Sequence, residues 1–330
     1  MNVRWHIAFC NVTYTEYAGI NYYQYYLTPA NMLAAQLAAK NYIEKKYGIG
    51  EFIAPHVDIP SCAFSSLFGM KVIESTQDEI PYLDASNPII TNTADADRLQ
   101  CGNPQTDGLM AKRYAFWKYY TDKGYSASLG GASGPVISTA VELTGSGILS
   151  GFIEDPENSK KILKIIVDAQ IKVASFSAAL SGNSYIGHSY TGDDYSGLLS
   201  PAMYREFAVP CYQQLYANNN TRFMHSELLR AEHLRIARDE VGITEYHGAG
   251  CKNLTLTEMK DIMGERFWTQ LTPQEMLELT PKEISERIRI LAGSGCSFVQ
   301  LYPGRGVSEK NMDAAITACR KECTGGPYFK

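Results

Sequence analysis

Short apolar runs alternate with long amphipathic stretches along the chain, and the alternation repeats about eight times. The runs WHIAFC, EFIAPHVDI, YSASLGGASG, NSYIGHSY, RFMHSE, ITEYHGAG, RFWTQL and SFVQLYPGRG read as buried strands. Between them lie stretches with helical spacing, such as TPANMLAAQLAAKNYIEKKYG and DPENSKKILKIIVDAQIKVASFSAAL. Thr28-Pro29, Asp155-Pro156, Ser200-Pro201, Thr272-Pro273 and Thr280-Pro281 each put a capping oxygen before a proline that is harmless in a first helical turn. Glu283, three residues after Thr280, completes a capping box. Strand then helix, repeated, implies right-handed crossovers and a parallel sheet covered by helices. The pattern predicts an α/β fold, a (β/α)8 TIM barrel with an N-terminal helical extension, as one domain over residues 1–330. An open doubly wound sheet would need a glycine-rich phosphate loop after its first strand, and AFCNVTYTEYAG holds no G-x-G-x-x-G.

Composition narrows the function. A net charge of −5 gives no basic footprint, so nucleic acid is not an expected partner. No apolar run reaches membrane-spanning length and the N-terminus lacks a cleavage pattern, so a cytoplasmic protein without a membrane partner is expected. The eight cysteines show no C-x-x-C pair and read mostly as interior thiols. Tyrosine is abundant at 22, and NYYQYY (21–26) reads either as packing or as the rim of a pocket for a flat substrate. A homodimer is compatible with the chain, but the sequence does not specify one.

In a barrel the active site lies at the carboxyl ends of the strands. His6, His56, His188, His225 and His247 fall in the first strand or near predicted strand ends, whereas His233 sits inside a predicted helix. Polar companions flank them: Asp58, Asp193 and Asp194, Glu227, Glu245, and Arg305 at the eighth strand. In FMHSELLR, His225 and Glu227 stand two apart, so an extended backbone points both to one side. Three readings stay open there: a metal pair, an acid–base pair, or the cap of the helix that follows. Cys251, in the loop HGAGCKN, is a third donor of a type zinc favours, or a buried inert thiol.

The stretch GDDYSGLLSPAMYREFAVPCYQQL (192–215) resembles the uroporphyrinogen decarboxylase superfamily. The likeness extends over nearly the whole chain, through AGINYYQYYLTPANMLAAQLAA, GGASGPVISTAVELTGSGILSGFIEDPE and LYPGRGVSEKNMDAAITAC. It implies a (β/α)8 barrel and one of two activities: decarboxylation of uroporphyrinogen without a cofactor, or methyl transfer involving corrinoid proteins, usually with zinc. The decarboxylases carry an arginine-rich segment after the first strand to hold a substrate with eight carboxylates. Here IAFCNVTYTEYAG has no arginine, and Gly304-Arg305-Gly306 stands where they carry Gly-His-Gly. Asp58 does match their pyrrole-facing aspartate. Thiol-methylating members carry His-x-Cys at the fifth strand, where this chain has His225 and Glu227. The resemblance therefore implies a His225/Glu227/Cys251 zinc set with an open position, with Glu245 and His247 in reserve.

A carboxylate in place of a thiolate leaves zinc a stronger Lewis acid, which suits the donor side of methyl transfer. The expected enzyme takes a methyl group from a small-molecule donor, a methoxylated aromatic, and passes it to cobalt(I) of a partner corrinoid protein. In that reading His225, Glu227, Asp193, Asp194 and His188 are catalytic. Asp58, His56, Glu245, His247, Gln300, Tyr302 and Arg305 would contact substrate. The alternatives are a cofactor-free decarboxylase of the same family, a metal-free general-acid enzyme, and a non-catalytic binding protein on the same scaffold.

Overall fold

The computed structural model describes residues 2–328. Six strands form one parallel sheet: β1 (Arg4–Ile7), β4 (Tyr190–Gly192), β5 (Phe223–His225), β6 (Glu245–His247), β7 (Phe267–Leu271) and β8 (Phe298–Leu301). Their order is β1-β8-β7-β6-β5-β4, and helices connect and cover them. A separate antiparallel ribbon pairs β2 (Val72–Ile73) with β3 (Tyr82–Leu83). The five anticipated caps form, with Thr28, Asp155, Ser200, Thr272 and Thr280 each accepting from the N–H three residues on. Glu283 answers Thr280 in the expected capping box. The N-terminal helices, Asn11–Ala18, Tyr22–Leu27 and Pro29–Tyr47, follow β1 rather than precede it.

Two of the eight anticipated strands, in 51–59 and 125–134, join no hydrogen-bonded ladder, and the first opens within the 3-10 turn Gly50–Phe52. The cause is local. Pro55 has no N–H to donate, and Gly130, Gly131 and Gly134 adopt positive φ values of 61°, 90° and 75°, which a regular strand cannot contain. Side chains take over the missing ladder. Gln36 accepts from the His56 N–H at 3.0 Å and donates to its carbonyl at 2.9 Å. The buried Arg113 guanidinium donates to the carbonyls of Val57 and Ile59 on one segment and Leu129 on the other. Ser133 accepts from Gly192 at 3.1 Å, joining the second segment to β4. Arg113 thus ties the two segments to each other and backbone ties the second to β4, while among the described residues no hydrogen-bonded ladder joins β1 to the first segment. The free edge of β1 is further covered by the C-terminal tail, where Trp5 donates to the Gly326 carbonyl and accepts from the Tyr328 N–H.

Alternation along the six strands sorts their side chains. Met224, Tyr246, Thr269, Val299 and Thr191 face the helices and are buried. The other set faces the lumen in two layers, which are staggered at the β6–β7 step, where the register sets His247 opposite Trp268. Tyr190, Phe223, Glu245, Trp268, Phe298 and Arg4 form the lower one; Gly192, His225, His247, Gln270, Gln300 and His6 lie two residues further along, toward the mouth.

Candidate active site

The lower layer is an aromatic floor. Tyr190, Phe223, Trp268, Phe298 and Tyr328 contact one another in series, with centroids 5.6, 5.0, 4.3 and 5.1 Å apart. Arg4 lies over Tyr328 at 4.3 Å, and Glu245 accepts from the Trp268 indole at 3.2 Å. Glu245 therefore belongs to the floor and the cavity below it, not to the mouth. That position contradicts its assignment as a substrate contact beside His247.

Above the floor, the register that sets His225 opposite His247 brings their Nδ1 atoms to 3.1 Å. One of the two must carry the hydrogen. Asp194 stands 4.0 Å from His225 Nε2. A carboxylate there favours a hydrogen on Nε2, so the network assigns His225 Nδ1 as acceptor and His247 Nδ1–H as donor. The strand register thus pairs His225 with His247 of β6, whereas sequence spacing paired His225 with Glu227. Both histidines close the strand cores FMH and EYH, and that shared position was the available signal.

Glu227 is exposed on the rim, its N–H donating to Asp194 Oδ1 at 2.7 Å. It does not cap the following helix, which begins at Ala231 with Arg230 at its N-cap. Cys251 turns its thiol to the Leu229 carbonyl at 3.4 Å, and burial raises its pKa, which disfavours a ligating thiolate. Among the described residues no three His, Cys, Asp or Glu side chains converge as metal ligands. The His225/Glu227/Cys251 set is not assembled, and no step below runs through a metal.

Asp193 is only 2% exposed, and its carboxylate accepts from Val136, Ile137 and Ser138 N–H, Ser138 hydroxyl and Tyr212 hydroxyl, at 2.7–2.9 Å. Burial raises its pKa, and the hydrogen bonds from Ser138, Ile137 and Tyr212 offset that rise only in part. Backbone N–H groups at the start of the helix Val136–Thr144 need an acceptor, and Asp193 serves as their remote cap. His188 precedes β4 and lies at the opposite end of the barrel, its Nδ1 2.7 Å from the Tyr185 hydroxyl. Desolvation depresses its pKa to about 4. His188 precedes β4, and Asp193, although it follows β4 beside Asp194, turns its carboxylate to the helix start, so neither side chain is presented to the mouth as the expected catalytic role requires.

The facing wall holds Asp58, whose carboxylate accepts from Tyr25 at 3.0 Å. Cys10 and Tyr302 are neighbours there, and Arg305 lies 5.2 Å above the Tyr22 ring. His56 is exposed, its Nδ1 3.0 Å from the Ala54 carbonyl. Gln300 donates to Gln270 at 2.9 Å inside the lumen. Sequence reasoning missed Gln36 and Arg113, which hold this wall with Tyr25 of the NYYQYY segment, and Gln270 and the aromatic floor.

The model of the uroporphyrinogen decarboxylase (URO-D) family matches residues 4–298. The chain belongs to this family. None of the curated proteins matches it. Among solved structures this URO-D family member is similar to a methyltransferase from Methanosarcina mazei, with 15% identity and a TM-score of 0.71. The match covers 97% of this chain and 94% of that one, and it shows a shared fold. Among its described residues no single helix is long and apolar enough to cross a membrane.

Proposed function

We propose that this URO-D family member is a methyltransferase that removes the methyl group of an aromatic methyl ether and delivers it to the cobalt(I) of a corrinoid carried by a partner protein. The observation that carries the reading is the His225–His247 pair at the strand ends, with Asp194 beside it and an aromatic floor beneath. The segment after β1, which in decarboxylases supplies arginines for a substrate with eight carboxylates, supplies Cys10, Tyr14, Tyr22 and Tyr25 instead.

Methyl transfer from an ether leaves the bonding electron pair on oxygen, so that oxygen needs a proton as it departs. A singly protonated histidine pair holds three N–H bonds on four nitrogens. His225 gives its Nε2 proton to the oxygen, and its Nδ1 takes the proton of His247 Nδ1. Both rings end neutral and the product is a phenol. Asp194 orients His225 and offsets the charge of the protonated pair. The floor of Phe223 and Trp268 supports a flat ring by stacking.

The test is methyl transfer from methoxybenzenes to cob(I)alamin, followed by the spectrum of the methylated product and by phenol release. A second reading, cofactor-free decarboxylation, is favoured by Asp58, which occupies the mouth with Tyr25 donating to it. Carbon dioxide release from an aromatic acid, with no methyl transfer across the ether panel, would establish that reading instead.

A further inference from the structure

A cavity of about 700 Å³ opens beside the mouth and extends sideways between the segments that follow β6 and β7. At its inner end stand Glu227, Gln270 and Tyr302, which belong to the mouth. Its outer part is walled by Leu254, Leu256, Met259, Leu279 and Leu291. Cys251 and Gly250, from the loop after β6, form the wall where the two parts meet. A methoxybenzene ring fills only a fraction of this space, since cavities of roughly 300–1,000 Å³ accommodate drug-sized ligands.

We infer that the cavity is a side-arm subsite of the mouth, and that the molecule bound there carries an uncharged apolar extension several carbons long. Calling this molecule the methyl donor rests on the methyl-transfer reading; the subsite itself does not. Three observations converge on an uncharged apolar arm. The cavity is continuous with the mouth through Glu227, Gln270 and Tyr302. Its lining beyond the mouth includes Leu254, Leu256, Met259, Leu279 and Leu291 alongside Thr272 and Gln274, and the five apolar side chains favour transfer of hydrocarbon from water. The charged groups at its edge are the carboxylates of Glu227, Glu275 and Glu278 against Lys252 and Arg287, and Arg287 already pairs with Glu275 at 2.7 Å. An anionic end group would meet more like charge than opposite charge.

The loop sequence explains why the space exists. Thr255 caps the helix Leu256–Met263 with Glu258, and Thr272 caps the helix Pro273–Glu278 with Glu275, so both helices start at fixed points past the strand ends. Gly250 lies between them; a Cβ there would come within 3.0 Å of the Thr272 methyl. The floor of the side arm is therefore set by local capping rather than by a large side chain.

Cys251 gives a readout that needs no turnover. The rate of its alkylation by iodoacetamide at alkaline pH, followed by peptide mass spectrometry, is compared with 4-butylmethoxybenzene, with methoxybenzene, and with neither. The inference predicts at least fivefold protection by the butyl compound and less than twofold by methoxybenzene. Leu256→Trp, in the partly buried outer wall, should fill the side arm, abolish that protection and lower the ratio of kcat/KM for the butyl to the plain donor at least tenfold. Equal alkylation rates with both compounds would overturn the subsite. Protection of Cys251 without any methyl transfer would uphold the subsite and overturn only its assignment to a methyl donor.

Discussion

The substitution Asp193→Asn removes the charge while nearly keeping the shape. The carboxylate receives five donors on two oxygens, three of them backbone N–H groups that open the helix Val136–Thr144. An asparagine side chain would retain one acceptor oxygen, good for at most the three donors that now share Oδ2. Its amide nitrogen would face donors and satisfy none. At least two buried donors lose their partner, at about 2 kcal/mol each, so the loss is about 4 kcal/mol. With a urea m-value of about 3 kcal/mol per molar, the unfolding midpoint falls by about 1.3 M. Urea denaturation followed by circular dichroism measures this directly. Turnover per folded molecule should be retained, since Asp193 is covered by the helix start and by Tyr212. A midpoint shift below about 0.3 M, or normal stability with turnover lost, would be incompatible with a capping role for Asp193.

His188 should make stability depend on acid. Its folded pKa is about 4, below the ordinary 6.5, so the unfolded chain binds a proton that the folded chain refuses between those values. Stability is full above about pH 6.5 and falls by about 3 kcal/mol as pH drops toward 4; His188→Gln should flatten that slope in urea titrations at stepped pH. Arg113→Met would leave the carbonyls of Val57, Ile59 and Leu129 without their shared donor. Amide exchange in 57–59 and 127–133 should accelerate at least tenfold, about 1.4 kcal/mol of local stability, with β5 and β6 unaffected. Asp194→Asn should lower kcat more than it raises KM, because Asp194 supports the protonated histidine pair rather than the donor; an effect on KM alone would remove it from that role.

The helices were readable because their starts are chemically marked: Thr or Asp or Ser, then proline, then the returning N–H at the third position. The six laddered strands were readable as apolar runs. What failed was the assumption that every such run joins the ladder. EFIAPHVDI and YSASLGGASG have strand-like composition, but Pro55 and three left-handed glycines remove the regular backbone. The polar residues that substitute, Gln36 and Arg113, come from distant helices and carry no local sign of that task.

The site shows the same division. His225 was singled out from its position at a strand end. Its partner His247 is 22 residues away, and only the β5–β6 register brings the two rings together. Glu227 looked closer because it is closer along the chain, but the strand has ended at His225 and the backbone turns its side chain outward to the rim. The repeat of an inward residue followed two positions later by His or Gln, in RWH, FMH, EYH, WTQ and FVQ, was visible in the sequence and marks the lumen's two layers. His188 and Asp193 drew attention as titratable groups near a strand. One precedes that strand and the other is consumed by helix capping.

Protonation of the departing ether oxygen by the His225–His247 pair is probed best by the leaving-group dependence of His247→Ala in single-turnover methyl transfer to cob(I)alamin. With methoxybenzene, whose oxygen leaves poorly, the variant should be slower by a factor on the order of 10² to 10⁴. With 4-nitromethoxybenzene, whose phenoxide needs little protonation, the loss should be under about tenfold. An equal loss with both donors would rule out proton delivery by the pair.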